Sequence, residues 1–392
     1  MKKNNCAVVL GGYLNGYCIV EELWEKCVRE IIVIDSAKRF SSYSNKIKQY
    51  ILIEKNREGL LRELTNLSSE YEKLIIYPTD DRELEILWSI KEEIENFCFI
   101  PVNKEKLPQQ MDKYWQYKVC DEVGVPHPKT VLIEKAEDID KIASIPFPVL
   151  IKPVKREDID RKVFRNLQIK NKGELTERKN QLVQLLTNKI ILMASEIIPG
   201  DGSNIYAYVC YRNMGGEILN EWTGKKLSQY PDDFGVFASA SNQAPPIVLE
   251  QGRKLIEGLD AKGVCQPEFK YDARDGKYKL MEVNLRSMMW HRTGNLSGVN
   301  LQYTQYLDAL GQKPVKQEQN REDNIHFVYL KHEIINLITR KNYYRIFYNN
   351  IFKSDKTYIA VFDLRDPVPF AVDCIDTLKM MVGTCLKTLK IR

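Results

Sequence analysis

The sequence predicts an α/β and α+β protein, in which a parallel α/β domain comes first and a mixed α+β region follows. In residues 1–110, short apolar runs alternate with helix-length segments rich in Glu, Leu and Lys, a pattern typical of a parallel sheet covered by helices. Between residues 204 and 284 the apolar runs shorten and alternate, which indicates antiparallel strands. The 392 residues suffice for about two to four domains.

The first domain is predicted to open with a β-α-β unit. A glycine turn (Gly11, Gly12, Gly16) follows the first apolar run, and the second run ends at Asp35. The turn is similar to a dinucleotide site, but its spacing is not G-x-G-x-x-G. We therefore expect a structural or substrate-binding turn, with Gly11 and Gly12 as candidate substrate contacts. An NAD-dependent oxidoreductase is the alternative. The predicted strands are at residues 6–10, 31–34, 50–53, 74–77 and 97–100.

The remaining segments predict three further domains. A helix at 112–123 ends at Gly124, and prolines at 126 and 128 then favour an extended connector. A strand at 149–153 precedes a basic segment, residues 154–172, with seven Lys or Arg against three Asp or Glu. Further predicted elements are a strand at 190–194, a helix at 247–259 and a strand at 358–362. The predicted domains are 1–110, 111–200, 201–310 and 311–392.

Composition excludes several classes of protein. The net charge is only +5 and the basic surplus is local, which suits an anionic ligand better than nucleic acid. The nine cysteines include no Cys-x-x-Cys pair, so neither a disulfide framework nor a zinc knuckle is indicated. No apolar run approaches the roughly 20 residues of a membrane-spanning helix. We expect a cytoplasmic protein.

The strongest candidate site is a predicted β-hairpin that carries Glu268 on one strand and Glu282, Asn284 and Arg286 on the next. Because side chains alternate along a strand, the last three share one face. Glu268 joins that face if the turn is a three-residue loop with Gly276 in the left-handed conformation. A two-residue loop would place Glu268 and Glu282 on opposite faces.

Two carboxylates and an amide on one patch favour a bound cation, and Mg²⁺ combines few carboxylates with phosphate oxygens. Lys113 begins a predicted helix and Lys152 ends an apolar strand before a proline, so a phosphate could serve both ammonium groups. The alternative interpretation is a half-exposed strand in which Glu268 pairs with a lysine and the polar face meets solvent.

Five segments in order resemble the ATP-grasp superfamily, and within it carboxylate–amine ligases such as D-aspartate ligases. The resemblance includes the Ile-Pro-Gly-Asp stretch that ends at Asp201. The segments are residues 111–130, 147–153, 195–204, 223–231, and Glu268 with 282–286.

The resemblance implies a Rossmann-like amino-terminal domain before a two-subdomain ATP-grasp fold. It also implies a ligase that uses ATP and Mg²⁺, or Mn²⁺, to join a carboxylate to an amine through an acyl-phosphate, with a cell-envelope or small-peptide precursor as one substrate. A nucleotide-binding module without catalysis is a further alternative. The implied ATP contacts are Lys113, Lys152, Glu196, Ile197, Ile198 and Asp201, the metal ligands are Glu268, Glu282 and Asn284, and the catalytic residues are Arg286 and Lys226.

Three expectations concern regions outside this core. The basic segment 154–172 would be a lid over the phosphates, although it lacks the family's glycines. His291 and Arg292 could reach a substrate pocket. At the carboxy terminus, apolar residues including Ile375 and Leu378 repeat at helical spacing beside lysines. This stripe is expected to pack on the enzyme itself, with membrane-surface contact as the alternative. We expect small-molecule substrates as partners, and a homodimer is compatible with the sequence.

Overall fold

Five parallel strands form the first sheet, in the spatial order β3-β2-β1-β4-β5. The computed structural model describes residues 2–154, 163–232 and 235–390, with side chains described through residue 381. Residues 6–10 of the first strand and 31–34 of the second are all buried, because helices cover both faces of the sheet. The predicted Rossmann-like domain is confirmed. The strands are β1 (Lys3–Leu10), β2 (Ile31–Asp35), β3 (Gln49–Leu52), β4 (Tyr71–Tyr77) and β5 (Cys98–Phe99).

The helices surround this sheet and the two sheets that follow it. The helix predicted at 112–123 is present, because the Asp112 side chain accepts a hydrogen bond from the Trp115 backbone N–H (2.9 Å) and Gly124 ends the helix at φ +70°. The helices are α1 (Leu14–Glu25), α2 (Arg57–Glu70), α3 (Asp81–Ser89), α4 (Lys91–Ile94), α5 (Leu107–Gln110), α6 (Lys113–Val123), α7 (Lys172–Thr187), α8 (Pro246–Leu259), α9 (Arg292–Leu296), α10 (Leu301–Ala309), α11 (Leu330–Thr339), α12 (Tyr344–Phe352) and α13 (Pro367–Lys390).

A four-stranded antiparallel sheet in the order β6-β9-β7-β8 lies within the predicted segment 111–200. The strand that carries Lys152 has the predicted bounds, and its partner strand ends at Glu196. Much of the predicted lid, including Lys155, Arg156, Arg161 and Lys162, lies outside the described residues, so its role stays a prediction. The strands are β6 (Thr130–Ile133), β7 (Val149–Pro153), β8 (Leu167–Ile169) and β9 (Leu192–Glu196).

The third sheet has seven strands in the order β14-β13-β10-β11-β12-β15-β16. Its last two strands come from the predicted extension 311–392, which therefore completes this sheet. The short strand at Ile325 was not predicted from the sequence, and the final strand begins two residues earlier than predicted. The strands are β10 (Ile205–Arg212), β11 (Ile218–Tyr230), β12 (Val236–Ser241), β13 (Gly263–Asp272), β14 (Lys277–Asn284), β15 (Ile325–Val328) and β16 (Lys356–Ile359).

The carboxy-terminal helix α13 corrects one prediction. It packs on the body through the apolar Phe370 and Val372 and through Asp373, which is buried and accepts hydrogen bonds from Tyr329 and Lys331. Ile375 and Leu378 are 52% and 60% exposed, so the expected packing of the apolar stripe on the enzyme is wrong for these two residues. The stripe's residues beyond 381 lie outside the described side chains. No helix within the described ranges is long and apolar enough to cross a membrane.

Candidate functional site

The hairpin of β13 and β14 places Glu268 directly opposite Glu282. The two glutamates therefore share a face, but the loop has neither of the two lengths considered from the sequence. Asp272 pairs with Lys277 and four residues separate them, with Gly276 at φ +70°. A bulge at Met281 shifts the register by one residue and brings the two glutamates opposite each other. The four-residue loop and the bulge together place Glu268 and Glu282 on the same face of the sheet. A three-residue loop without a bulge would have had the same effect.

Three lysines from three different elements surround the two glutamates. Lys226 of β11 donates to the Glu268 Oε2 atom at 2.9 Å, and both side chains are buried. Lys113, at the first position of α6, forms an ion pair with Glu282. The side chain of Lys152 in β7 makes no hydrogen bond or ion pair among the described residues. Three lysine side chains thus surround two carboxylates, so an anion that binds here can be met by a further positive charge when Lys152 takes up a proton.

The close approach of lysines and glutamates, together with burial, shifts the pKa values of Glu282 and Lys152. The adjacent Lys113 ammonium holds the pKa of the Glu282 carboxyl well below its usual range. Burial lowers the pKa of the Lys152 amine to about 7, and Lys113 acts in the same direction. Lys152 is therefore poised to gain a proton when negative charge arrives beside it.

The oxygen donors of the site fit a magnesium ion. Glu268, Glu282 and Asn284 offer two carboxylates and one amide, and Mg²⁺ usually takes one or two carboxylates with phosphate oxygens and water. The Asn284 Nδ2 atom is buried without a hydrogen-bond partner in the described part of the chain. This is unusual, because nearly all buried polar groups in proteins form hydrogen bonds. Nowhere in the described ranges do three or more His, Cys, Asp or Glu side chains form a metal cluster, so an all-protein cage is not present there.

Arg286 joins the hairpin to the first domain. Its Nε atom donates to Asp81 at 2.6 Å and its Nη1 atom to the Thr79 carbonyl oxygen at 3.3 Å. Both acceptors lie at the carboxyl end of β4, where open parallel sheets bind ligands. The predicted catalytic arginine thus lies between the two sheets that would enclose a substrate.

In the segment predicted to contact adenine, residues 196–198, the Glu196 side chain is already paired with basic residues of the protein. The Glu196 carboxylate accepts from Arg274 at 2.8 Å and from Lys279 at 3.2 Å. Asp201 accepts from the Ser203 backbone N–H at 2.9 Å. The adenine contacts of Glu196–Ile198 and the ribose contact of Asp201 therefore stay predictions. Because the Glu196 carboxylate is already paired, its contact with adenine would be made by backbone atoms.

The glycine turn is closed by protein contacts. Gly12 N–H donates to Asp35 Oδ2 at 2.8 Å, and a Cβ on Gly12 would lie 2.4 Å from the Tyr50 hydroxyl. Gly11 has φ +93°, and a Cβ on Gly16 would lie 1.9 Å from the Gly11 carbonyl oxygen. These contacts explain the glycines structurally, and the acidic residue that would bind a ribose in a dinucleotide site already accepts a backbone hydrogen bond.

His291 and Arg292 occupy different surroundings. The Arg292 guanidinium is buried and makes a two-bond ion pair with Glu25 of α1, so it ties the first domain to α9. His291 is buried and its Nε2 atom lies 2.6 Å from Gln266 Oε1. Burial and the nearby Arg286 lower the pKa of His291 to about 3, so its ring is neutral.

Gln266 is a residue of this site that the sequence analysis missed. Its Nε2 atom donates to Glu268 Oε1 at 2.6 Å, so one amide links the candidate metal ligand to His291. A carboxylate only accepts, which fixes the amide orientation and makes His291 Nε2 the donor. Strand alternation could have revealed Gln266, because residues 266 and 268 share a face.

The order of the three sheets is that of the ATP-grasp fold, which similar solved structures share. The predicted fold class and the resemblance to this superfamily are confirmed. No family model matches the chain.

Among characterised proteins, the chain is similar to D-aspartate ligase from Enterococcus faecium, with 23% identity over 260 residues. The match covers 63% of this chain and 61% of that ligase, so the chain spans about three fifths of its length. An ADP complex of N5-carboxyaminoimidazole ribonucleotide synthetase has a TM-score of 0.62 at 13% identity, covering 87% and 86% of the two chains. L-amino acid ligase from Bacillus licheniformis has a TM-score of 0.58 at 15% identity, covering 81% and 76%.

Proposed function

We propose that the protein is an ATP-dependent carboxylate–amine ligase that forms an amide bond through an acyl-phosphate. The observation that carries the proposal is the direct pairing of Glu268 with Glu282, beside the side-chain amines of Lys113, Lys152 and Lys226. Phosphoryl transfer depends on positioning and on neutralising phosphate charge. A patch with metal-binding oxygens and three lysine amines suits that task.

The proposed reaction has two steps. A carboxylate oxygen of one substrate attacks the γ-phosphorus of ATP, the bond from that phosphorus to the β–γ bridging oxygen breaks, and ADP leaves. The nitrogen of an amine then attacks the carbonyl carbon of the acyl-phosphate. Phosphate leaves with the electrons of the carbon–oxygen bond, and the nitrogen loses a proton. No covalent bond to the protein forms, so its residues bind, orient and neutralise charge.

We assign the metal site to Glu268, Glu282 and Asn284, whose donor atoms fit Mg²⁺ and also Mn²⁺. A bound Mg²⁺ supplies charge neutralisation for the phosphate oxygens. Lys113 and Lys152 would contact the phosphates themselves.

The remaining roles concern the nucleoside and the acyl group. The backbone of Glu196–Ile198 would contact adenine and Asp201 the ribose. Arg286 and Lys226 would stabilise the transferred phosphate, and His291 would border the acceptor pocket.

The substrate class is inferred from the relatives. D-aspartate ligase and L-amino acid ligase are both named for amino acid substrates, and we infer that one substrate here is an amino acid. The second would be a cell-envelope or small-peptide precursor. A cytoplasmic location and a homodimer stay predictions.

The test is a screen of ADP release from Mg-ATP with amino acids, singly and in pairs. The ligase predicts release that requires a carboxylate substrate, and hydroxylamine in place of the amine should trap the acyl-phosphate as a hydroxamate. ADP release without hydroxamate would contradict the acyl-phosphate. Thermal stabilisation by NAD and not by Mg-ATP would instead support the oxidoreductase. Binding of Mg-ATP without turnover under any substrate pair would support a non-catalytic nucleotide-binding module.

A further inference from the structure

Helix α12 has one buried residue, the polar Asn350, whereas three of its four aromatic residues are exposed. Its inner face is held by Asn350, which is buried and donates to Ser228 at 3.1 Å and to Glu333 at 3.0 Å. The exposed fractions of Tyr344, Tyr348 and Phe352 are 66%, 55% and 64%. The packing of α12 on the protein therefore does not explain its aromatic residues.

The three aromatic residues form one stripe. They recur every four residues, so they lie on the same side of the helix, and the rings of Tyr348 and Phe352 are 5.2 Å apart. Leu337 and Ile338, at the end of the neighbouring α11, are 38% and 46% exposed. Exposed apolar groups that cluster in this way mark an interaction surface.

Basic residues accompany this stripe. Residues 340–353 contain four Lys or Arg and no Asp or Glu. Arg340 pairs with Asp232 at 2.7 Å, whereas Lys341, Arg345 and Lys353 are exposed and make no ion pair within the described part of the chain. The surface is therefore both apolar and cationic.

We propose that this surface, defined by Tyr344, Tyr348, Phe352 and the three unpaired basic residues, binds an anionic phospholipid bilayer. Tyrosine and phenylalanine enter the interfacial region of a bilayer while Lys and Arg contact lipid phosphates. A second copy of this chain fits poorly, because a two-fold contact would place the same cations against each other. Single-stranded nucleic acid could stack on aromatic rings, but it would leave the aliphatic Leu337 and Ile338 uncovered.

The test is co-sedimentation of the full chain with vesicles of phosphatidylcholine alone or with a quarter phosphatidylglycerol. Binding is expected only with the anionic vesicles and should weaken as salt rises. Each basic residue near an anionic surface contributes about fivefold, so the triple variant Lys341→Gln, Arg345→Gln, Lys353→Gln should bind roughly 100-fold more weakly. The triple variant Tyr344→Ser, Tyr348→Ser, Phe352→Ser should lose binding.

A matched control tests whether the effect is local. Lys254→Gln, Lys277→Gln and Lys313→Gln together remove three exposed charges elsewhere and should leave binding unchanged. Equal weakening in this control, or no binding to anionic vesicles, would overturn the proposal. So would a dimer in sedimentation velocity that the aromatic variant abolishes, or displacement of vesicles by a single-stranded oligonucleotide. All variants should keep the solution ligase activity of the parent, because none of the substituted residues belongs to the proposed ATP site.

Discussion

ATP binding near pH 8 should draw one proton from solution, and Lys152 should be the group that takes it. Burial lowers the pKa of this amine from its usual 10.5 to about 7 in the free protein. At pH 8 the amine is then only about one-tenth protonated. Polyanionic ATP beside it should return the pKa towards 10, so binding should take up about 0.9 protons.

The assay is isothermal titration calorimetry of Mg-ATP binding in two buffers of different ionisation enthalpy. The difference in observed heat gives the number of protons taken up. Lys152→Arg is the matched control, because arginine stays charged and should bind ATP without uptake. Zero uptake by the parent protein at pH 8, or equal uptake by Lys152→Arg, would refute the assignment of Lys152 to the phosphate site.

The same shift predicts a stability effect of defined sign. The unfolded chain keeps the Lys152 proton up to about pH 10, whereas the folded chain releases it near pH 7. The unfolded state therefore binds more protons between these values, and stability from this group rises with pH across that window. At pH 6, Lys152→Met should raise the unfolding free energy of the ATP-free protein by on the order of 2 to 5 kcal/mol.

Three further variants test separate contacts. Arg292→Met should destabilise the protein by about 1 to 3 kcal/mol in urea unfolding without changing ATP affinity, because it removes the charged hydrogen bonds from a buried guanidinium to Glu25. Gly16→Ala should lower the melting temperature sharply, since its Cβ would meet the Gly11 carbonyl oxygen at 1.9 Å. Gln266→Leu should raise the Mg²⁺ concentration for half-maximal ADP release by about tenfold or more, because it removes the hydrogen bond that orients Glu268.

Local rules predicted most of the first domain and the position of the candidate site. Apolar runs indicated all five strands of the parallel sheet, and residues 112 and 124 supplied both ends of α6. Side-chain alternation along β14 was enough to place Glu282 and Asn284 on one face. These features depend on neighbours within a few residues, which a sequence shows directly.

The features that the sequence did not reveal depend on distant partners. The bulge at Met281 accompanies the local twist of β13 and β14, which depends on the whole sheet and not on neighbouring residues alone. Glu196 pairs with Arg274, 78 residues away, and Arg292 pairs with Glu25, 267 residues away. The orientation of α13 depends on the buried Asp373, which an apolar pattern cannot indicate. Charge alone does not show which carboxylates are free to bind a ligand.

The proposed Mg-ATP site is tested by ADP formation in Glu282→Gln. The control is Glu257→Gln, which changes an exposed residue of α8. The carboxylate of Glu282 is a proposed metal ligand directly opposite Glu268. We predict that Glu282→Gln abolishes substrate-dependent ADP formation while its far-ultraviolet circular dichroism matches that of the parent, and that Glu257→Gln is fully active. A folded Glu282→Gln protein that forms ADP at the parent rate would contradict the proposed Mg-ATP site.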